Sequence, residues 1–362
     1  MSVAKYGLAA NNSSTRGYFG GGNTSSGFTN IIDRLEFSNE TCNQISATLS
    51  VGRPYLAANN SSTRGYFGGG RTGSSYFNTI NTIDRLEFSN ETCNQISATL
   101  SVVRYGLAAN NSSTRGYFGG GDYNNYLSTI DRLEFSNETC NQISATLSST
   151  RVYLAANNSS TRGYFGGGGY NNYLNTIDRL EFSNETCNQI SATLSIARWG
   201  LAANNSSTRG YFGGGYTDNS GSFNIIDRLE FSNETCNQIS ATLSVARGSL
   251  AANNSSTRGY FGGGWYHVNY IFYNTIDRLE FSNETRTQIS ATLSVAKYGL
   301  EGNNSSTRGY FGGGKTSSSF TNIIDRLEFS NETCTQISAT LSVGRPHLAA
   351  NNSSTRGYFG GG

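Results

Sequence analysis

Along residues 31–37, IIDRLEF, alternation puts Ile31, Asp33, Leu35 and Phe37 on one face of an extended chain, and Ile32, Arg34 and Glu36 on the other. The β-branched and aromatic content of this run predicts a strand. Three more extended runs flank it: LAANN (8–12), RGYF (16–19) and NQISATLSV (43–51). The polar turn SST joins the first two, and SNET is a turn by composition between the last two. A glycine triplet and a variable stretch, NTSSGFTN (23–30), connect the middle pair. We denote these predicted strands A, B, C and D.

The same order recurs along the chain. GYFGGG occurs eight times, beginning at Gly17, Gly65, Gly116, Gly163, Gly210, Gly259, Gly309 and Gly357, at intervals of 47 to 51 residues, and IDRLEFSNET occurs seven times. A period near 50 with four strand-sized segments predicts a radial repeat, a β-propeller. A length of 362 residues alone suggests two or three domains. The repeat replaces that expectation with one domain over 1–362, because a single blade cannot bury its own faces and must stack on its neighbours. Seven C–D units sit among eight A–B units, and residues 1–22 and 341–362 are near copies. The expected fold is therefore all-β: seven four-stranded blades with a surplus terminal hairpin at a seam or an inter-subunit contact. The alternative is eight blades, one incomplete. An unpaired strand edge also invites pairing with a second chain, so a homo-oligomer is one possible use of the hairpin.

Blades are buried on both faces, so the charges of strand C need partners. Arg34 and Glu36, with their equivalents, are expected to form inter-strand or inter-blade ion pairs repeated around the ring, a structural role rather than a catalytic one. The formal charge is +2 and no basic tract could grip a phosphate backbone, which argues against a nucleic-acid partner. No apolar run approaches the roughly 20 residues that span a bilayer, so no membrane insertion is expected. The start, MSVAKYGLAANN, lacks the charged and apolar regions of a signal peptide, and a cytoplasmic site of synthesis and assembly is the expectation. Cys42, Cys93, Cys140, Cys187, Cys236 and Cys334 occupy one repeat position, taken by Arg286 in the sixth copy. Equivalent outer positions on splayed blades should lie beyond the roughly 7 Å between Cα atoms that a disulfide tolerates, so free thiols are expected.

The glycine triplets lead into loop and strand rather than a helix, so they read as close packing and positive-φ turns, not as a phosphate cradle. His267 and His347 are the only histidines, which leaves no triad, metal cluster or general-base pair. Carboxylate pairs for glycoside hydrolysis would have to come from positions such as Asp33 and Glu36, which are identical in every blade, whereas a catalytic site needs broken symmetry. No catalytic residue, metal or cofactor is expected, and the chain reads as non-enzymatic. The NNSS and NET sequons read as turn-forming asparagines.

The repeat resembles the kelch family. The resemblance rests on R-x-x-L-A-A at the blade start, the aromatic pair entering glycines (Tyr18, Phe19, Gly20, Gly21), and an aromatic followed by E-T (Phe37, Glu40, Thr41). It spans essentially the whole chain and implies a four-stranded propeller blade; it implies no single function. The tryptophan of that family's outer strand is absent, with Gln44 near its place, so strand D must pack differently. The wording RGYFGGG, IDRLEFSNET and ATLSVAR also resembles kelch-like propellers of tailed phages, cyanophages especially, which implies a virion protein.

In a meander, the A–B and C–D turns share one face of the ring, and the B–C loops and D–A joints share the other. NNSSTRG and SNET are invariant, whereas the B–C loops and joints differ between copies. The variable segments are rich in Tyr, Asn, Ser and Gly, a vocabulary suited to recognition because rigid rings supply area and small polar groups adapt. The candidate ligand-binding residues are Tyr76, Phe77, Tyr123, Tyr126, Tyr170, Tyr173, Trp199, Tyr216, Trp265, Tyr266, His267, Tyr270, Phe272 and Tyr273. The insert 265–273, WYHVNYIFY, is the most conspicuous; an exposed apolar loop marks a contact, or it folds across the channel mouth. The expected role is a virion-associated module binding a host surface glycan or receptor. The alternative is a structural tail, fibre or capsid accessory protein docking other virion subunits.

Overall fold

Each predicted run forms a strand. In blade two, A spans Ala57–Asn60, B Arg64–Gly68, C Thr82–Glu87 and D Cys93–Thr99, joined antiparallel in that order. The computed structural model describes residues 9–13, 15–24, 27–36, 41–73, 75, 78–123, 125–169, 172–304, 307–319, 321–338, 348–352 and 357–361. Seven four-stranded sheets of this order begin at Ala9, Ala57, Ala108, Ala155, Ala202, Ala251 and Glu301, making a seven-bladed β-propeller. The A strands of neighbouring blades touch one another around the axis, which places A innermost and D outermost. A separate two-stranded sheet, Leu348–Asn352 with Gly357–Gly361, lies between the A–B strands of blade seven and those of blade one. The surplus hairpin thus sits at the closure seam.

Blades stack through two unlike faces. Register pairs Tyr66 with Arg85 and Gly68 with Ile83, so one face of blade two presents Tyr66 and Ile83. These pack with Ile96 and Leu100 against Phe118, Leu133 and Phe135 of blade three. The Tyr66 and Phe135 rings stack with centroids 5.4 Å apart. On strand D, Ile96 and Leu100 are buried while Asn94, Gln95 and Ser97 are exposed. The outer strand is therefore anchored by aliphatic residues on its inner side. Its ladder to strand C shifts register after Gln95, and in blades five and seven it is cut to Cys236–Gln238 and Cys334–Gln336.

The strand-C charges pair as expected, within and between blades. Arg34 Nε lies 3.1 Å from Glu36, and its Nη1 lies 2.7 Å from Glu91 in the C–D turn of the next blade. Arg85–Glu138, Arg132–Glu185, Arg228–Glu284 and Arg278–Glu332 repeat the latch at 2.6–2.8 Å. The latching tyrosine also donates its hydroxyl to the same carboxylate, as Tyr66 does to Glu138 at 3.1 Å. Glu138 has φ +58°, and within its turn Asn137 Oδ1 accepts from Thr139 N–H and Oγ1. Among the described residues the NET asparagines are thus turn formers, and the SNET glutamate joins neighbouring blades.

A second set of pairs was not anticipated. Arg53–Asp84, Arg104–Asp131, Arg151–Asp178, Arg198–Asp227, Arg247–Asp277 and Lys297–Asp325 lie 2.6–2.9 Å apart with both side chains fully buried. Each ties the joint entering a blade to that blade's strand C. At the sixth-copy cysteine position, Arg286 reaches Asp277 at 3.5 Å.

Cys93, Cys140, Cys187, Cys236 and Cys334 are free. Burial pushes each thiol up to about 12. Burial, with the neighbouring Glu, also pushes Tyr164 and Tyr211 up to about 12, and raises Tyr18, Tyr66, Tyr117 and Tyr260. The folded chain holds these protons more tightly than the unfolded chain does. Their contribution to stability is complete below about pH 8.5, where unfolded thiols begin to ionise, and is lost as pH rises towards about 12. Lys297 and the joint arginines Arg53, Arg104, Arg151, Arg198 and Arg247, all lowered by burial, oppose the trend but are outnumbered by the five thiols and six tyrosines. The urea midpoint is therefore expected to hold up to about pH 8.5 and to fall steeply above it, each group removing roughly 1.4 kcal/mol per pH unit within its window. Serine at all six cysteine positions should move the onset to about pH 10, the tyrosine range. A midpoint that stays level through pH 11 would contradict this account.

Candidate ligand-binding face

The two variable connections of a blade are bonded to each other. Isolated bridges join Tyr105 with Asp122, Trp199 with Tyr216, Gly248 with Trp265 and Tyr298 with Lys315, each a D–A joint against the B–C loop of the blade it enters. Joints are also bonded to joints. Gly106 N–H donates to Tyr55 O, Ser249 N–H to Gly200 O and Gly299 N–H to Ser249 O, at 2.8–3.0 Å. Because each joint leads into an innermost strand, these bonds run around the axial end of the variable face.

On this base lies an arc of aromatic rings. Tyr153 meets Trp199 edge-on at 5.6 Å, and Trp199 contacts Tyr173 at 6.0 Å and Tyr216 at 5.3 Å. Tyr216 stacks on His267 at 4.7 Å and meets Trp265 at 6.1 Å. Trp265 in turn stacks on Tyr298 at 4.5 Å and touches Tyr270, while Phe272 stacks on Tyr298. The arc crosses the loops of blades four, five and six and the joints beside them. Gly248 leaves room for it: a Cβ there would stand 2.3 Å from Tyr216 Cδ1. A second cluster lies at blades two and three, where the Arg71 guanidinium sits 5.8 Å from the Tyr55 ring centre and 5.0 Å from that of Tyr105. There Tyr105 Oη donates to Asp122 Oδ2 at 2.7 Å.

The 265–273 insert is a small hairpin, Trp265–Tyr266 paired with Ile271–Phe272. Trp265 is buried beneath it, whereas Val268, Tyr270 and Ile271 are 56%, 66% and 46% exposed at its tip. Tyr273 serves the scaffold: its N–H donates to Gly264 O and its carbonyl accepts from Lys297 N–H. Tyr266 is half-buried, with its hydroxyl beside Gly221. Tyr123 and Tyr126 belong to the short hairpin of blade three, away from the main arc. Tyr76, Phe77, Tyr170 and His347 lie outside the described residues.

Polar groups gather at one point of the arc. Tyr173 Oη donates to Asp218 Oδ2 at 2.6 Å and accepts from Asp218 N–H at 3.0 Å. His267 Nε2 stands 3.5 Å from Asp218 Oδ1. Its backbone N–H donates to Ser222 Oγ, which donates to Trp265 O. Burial and the bond to Asp218 raise the Tyr173 hydroxyl, which keeps it a neutral donor. Trp199 Nε1, Trp265 Nε1 and His267 Nδ1 are buried and have no hydrogen-bond partner.

Sequence reading overlooked Asp218, Ser222 and the joint tyrosines Tyr153 and Tyr298. A signal for the first existed: Asp122 and Asp218 are the acidic residues of the B–C loops. Among the described residues, no group of three or more His, Cys, Asp or Glu side chains could hold a metal ion.

No protein-family model matches this chain, and no curated protein matches it. A solved structure titled "Structure of YjhT" superposes with a TM-score of 0.60 at 13% identity, over 80% of this chain and 98% of that one. At that identity the likeness establishes the propeller fold and nothing more.

Proposed function

We propose that this chain is a non-catalytic, kelch-like binding module that recognises a surface glycan or receptor through the aromatic arc, and that it works on a virion. The observation that carries the recognition role is the continuity of that arc across three blades on loops hydrogen-bonded to the scaffold. Rings held in place lose little entropy on meeting a ligand. The virion setting rests on the resemblance of the repeat wording to phage propellers. Invariance of the opposite face does not support recognition by itself, because its turns are held by the inter-blade latch. A second reading is a structural virion component docked to a neighbouring subunit. The apolar tip of Val268, Tyr270 and Ile271 favours it, since protein interfaces take such groups.

The test is binding of purified protein to host-envelope polysaccharide, beside a variant carrying KTSSSFTN in place of 265–273. Saturable binding is expected for the parent, with a loss of about tenfold or more in the variant, which keeps the scaffold but removes Trp265, His267, Tyr270 and Phe272 from the arc. Equal binding by both proteins would remove the arc from the proposal. Binding by neither, with both folded and the parent assembling into a ring or filament, would favour the docking role.

A further inference from the structure

We infer that Tyr173, Asp218 and His267 form a saccharide subsite that takes one neutral pyranose through two adjacent hydroxyls. The inference rests on the proposed recognition role of this face and names where and how a sugar is held. The three side chains come from the loops of blades four, five and six, so the subsite exists only when those blades are stacked.

Its chemistry follows from the unequal use of the two carboxylate oxygens. Asp218 Oδ2 is taken by the Tyr173 hydroxyl at 2.6 Å. Oδ1 faces His267 Nε2 at 3.5 Å, too long for a good hydrogen bond but short enough for both atoms to share a ligand hydroxyl. That hydroxyl would donate to Oδ1 and accept from Nε2–H, while its neighbour on the sugar ring meets the Tyr173 oxygen. The Asp218 side chain is 60% exposed and so open to a ligand.

The surroundings point to the same use. Beside the polar group lie Tyr216, stacked on His267, and Trp199, in contact with Tyr173. Trp265 is 8% exposed and its Nε1 lacks a partner, as do Trp199 Nε1 and His267 Nδ1 in the same cluster. These three atoms are shut away from solvent, so the rings that carry them act as walls beside the polar group rather than as hydrogen-bonding partners for a ligand. A neutral sugar suits this mixture, with apolar C–H faces for the rings and hydroxyls for the carboxylate, phenol and imidazole.

The chain supplies its own probe. Trp199 and Trp265 are its two tryptophans, and both lie in this cluster. Intrinsic fluorescence would be titrated with the methyl glycosides of glucose, galactose and mannose, and with tetramethylammonium as a cationic control. At least one glycoside is expected to shift the emission saturably and to compete with polysaccharide. Asp218→Asn should weaken its apparent affinity by about tenfold or more, and Tyr173→Phe by about threefold to tenfold, with the melting temperature unchanged because the groups are peripheral. Parent-like titration of the Asp218→Asn variant would overturn the subsite. So would a response to tetramethylammonium alone, which would mark an aromatic cage for cations. Polysaccharide binding that no glycoside displaces would overturn the subsite and leave the face intact. Absence of both polysaccharide and glycoside binding would sink the two readings together.

Discussion

Replacing Asp131 with alanine is expected to lower the unfolding free energy by about 3–5 kcal/mol, the largest effect of any single change considered for this chain. Asp131 and Arg104 are fully buried, with Nη2 and Oδ2 2.6 Å apart. The carboxylate also accepts the Ser101 backbone N–H at 3.1 Å. Without it, the guanidinium keeps its bonds to Gly120 O, Thr129 O and Thr129 Oγ1 but loses its counter-charge in a dry site. The backbone crossing from blade two to blade three loses an anchor at the same time. Urea unfolding checks the value, with two controls. Arg104→Met with Asp131→Leu removes both charges and should recover much of the loss, because the penalty belongs to the unpaired charge rather than to absence of the pair. Glu134→Ala breaks part-exposed contacts to Arg115 and Arg132 and should cost about 1 kcal/mol or less. A cost for Asp131→Ala no larger than for Glu134→Ala would refute the argument.

Gly120→Ala is expected to cost about 2–4 kcal/mol, combining backbone strain with a steric conflict. Gly120 has φ +71°, and a Cβ there would stand 2.7 Å from the Arg151 backbone oxygen. The conflict cannot be relieved by turning a side chain, because the atom met is backbone and its residue is anchored through the Arg151–Asp178 pair. The following glycine donates its N–H to that same oxygen at 2.9 Å, so the glycine triplet brings each blade's B strand against the next joint. Gly120→Asn separates the two causes. Asparagine tolerates positive φ better than alanine does, yet it carries the same Cβ. Gly120→Asn should therefore be destabilised less than Gly120→Ala but still clearly below the parent. If Gly120→Asn were close to the parent in stability, the space argument would fail and only the backbone angle would matter.

Much of the fold was legible because its causes are local and repeated. Alternation in IIDRLEF, turns made by SST and SNET, and a 47–51-residue period name four strands per blade and a closed ring without reference to any distant contact. Arg34 and Glu36 could be assigned partners because charges on a doubly buried strand require them. The Arg104–Asp131 type of pair was not assigned, since nothing local shows that a joint arginine and a strand-C aspartate share one dry pocket.

The candidate site divides the same way. Comparison of the copies picked out the variable loops, and their composition the ring-bearing residues Tyr173, Trp199, Tyr216, Trp265 and His267. Which of them touch depends on how neighbouring blades are rotated about the axis, and that is a property of the assembled ring. Tyr173, Asp218 and His267 lie 45 and 49 residues apart in sequence, about one repeat each, and meet because stacking brings equivalent loops side by side. The sequence by itself determined the blades, their order and the face that varies, because strand period and turn chemistry act within a few residues. Tertiary structure alone decided the seam position of the hairpin, the buried joint pairs and the meeting of Asp218 with His267, because each is set by packing between blades.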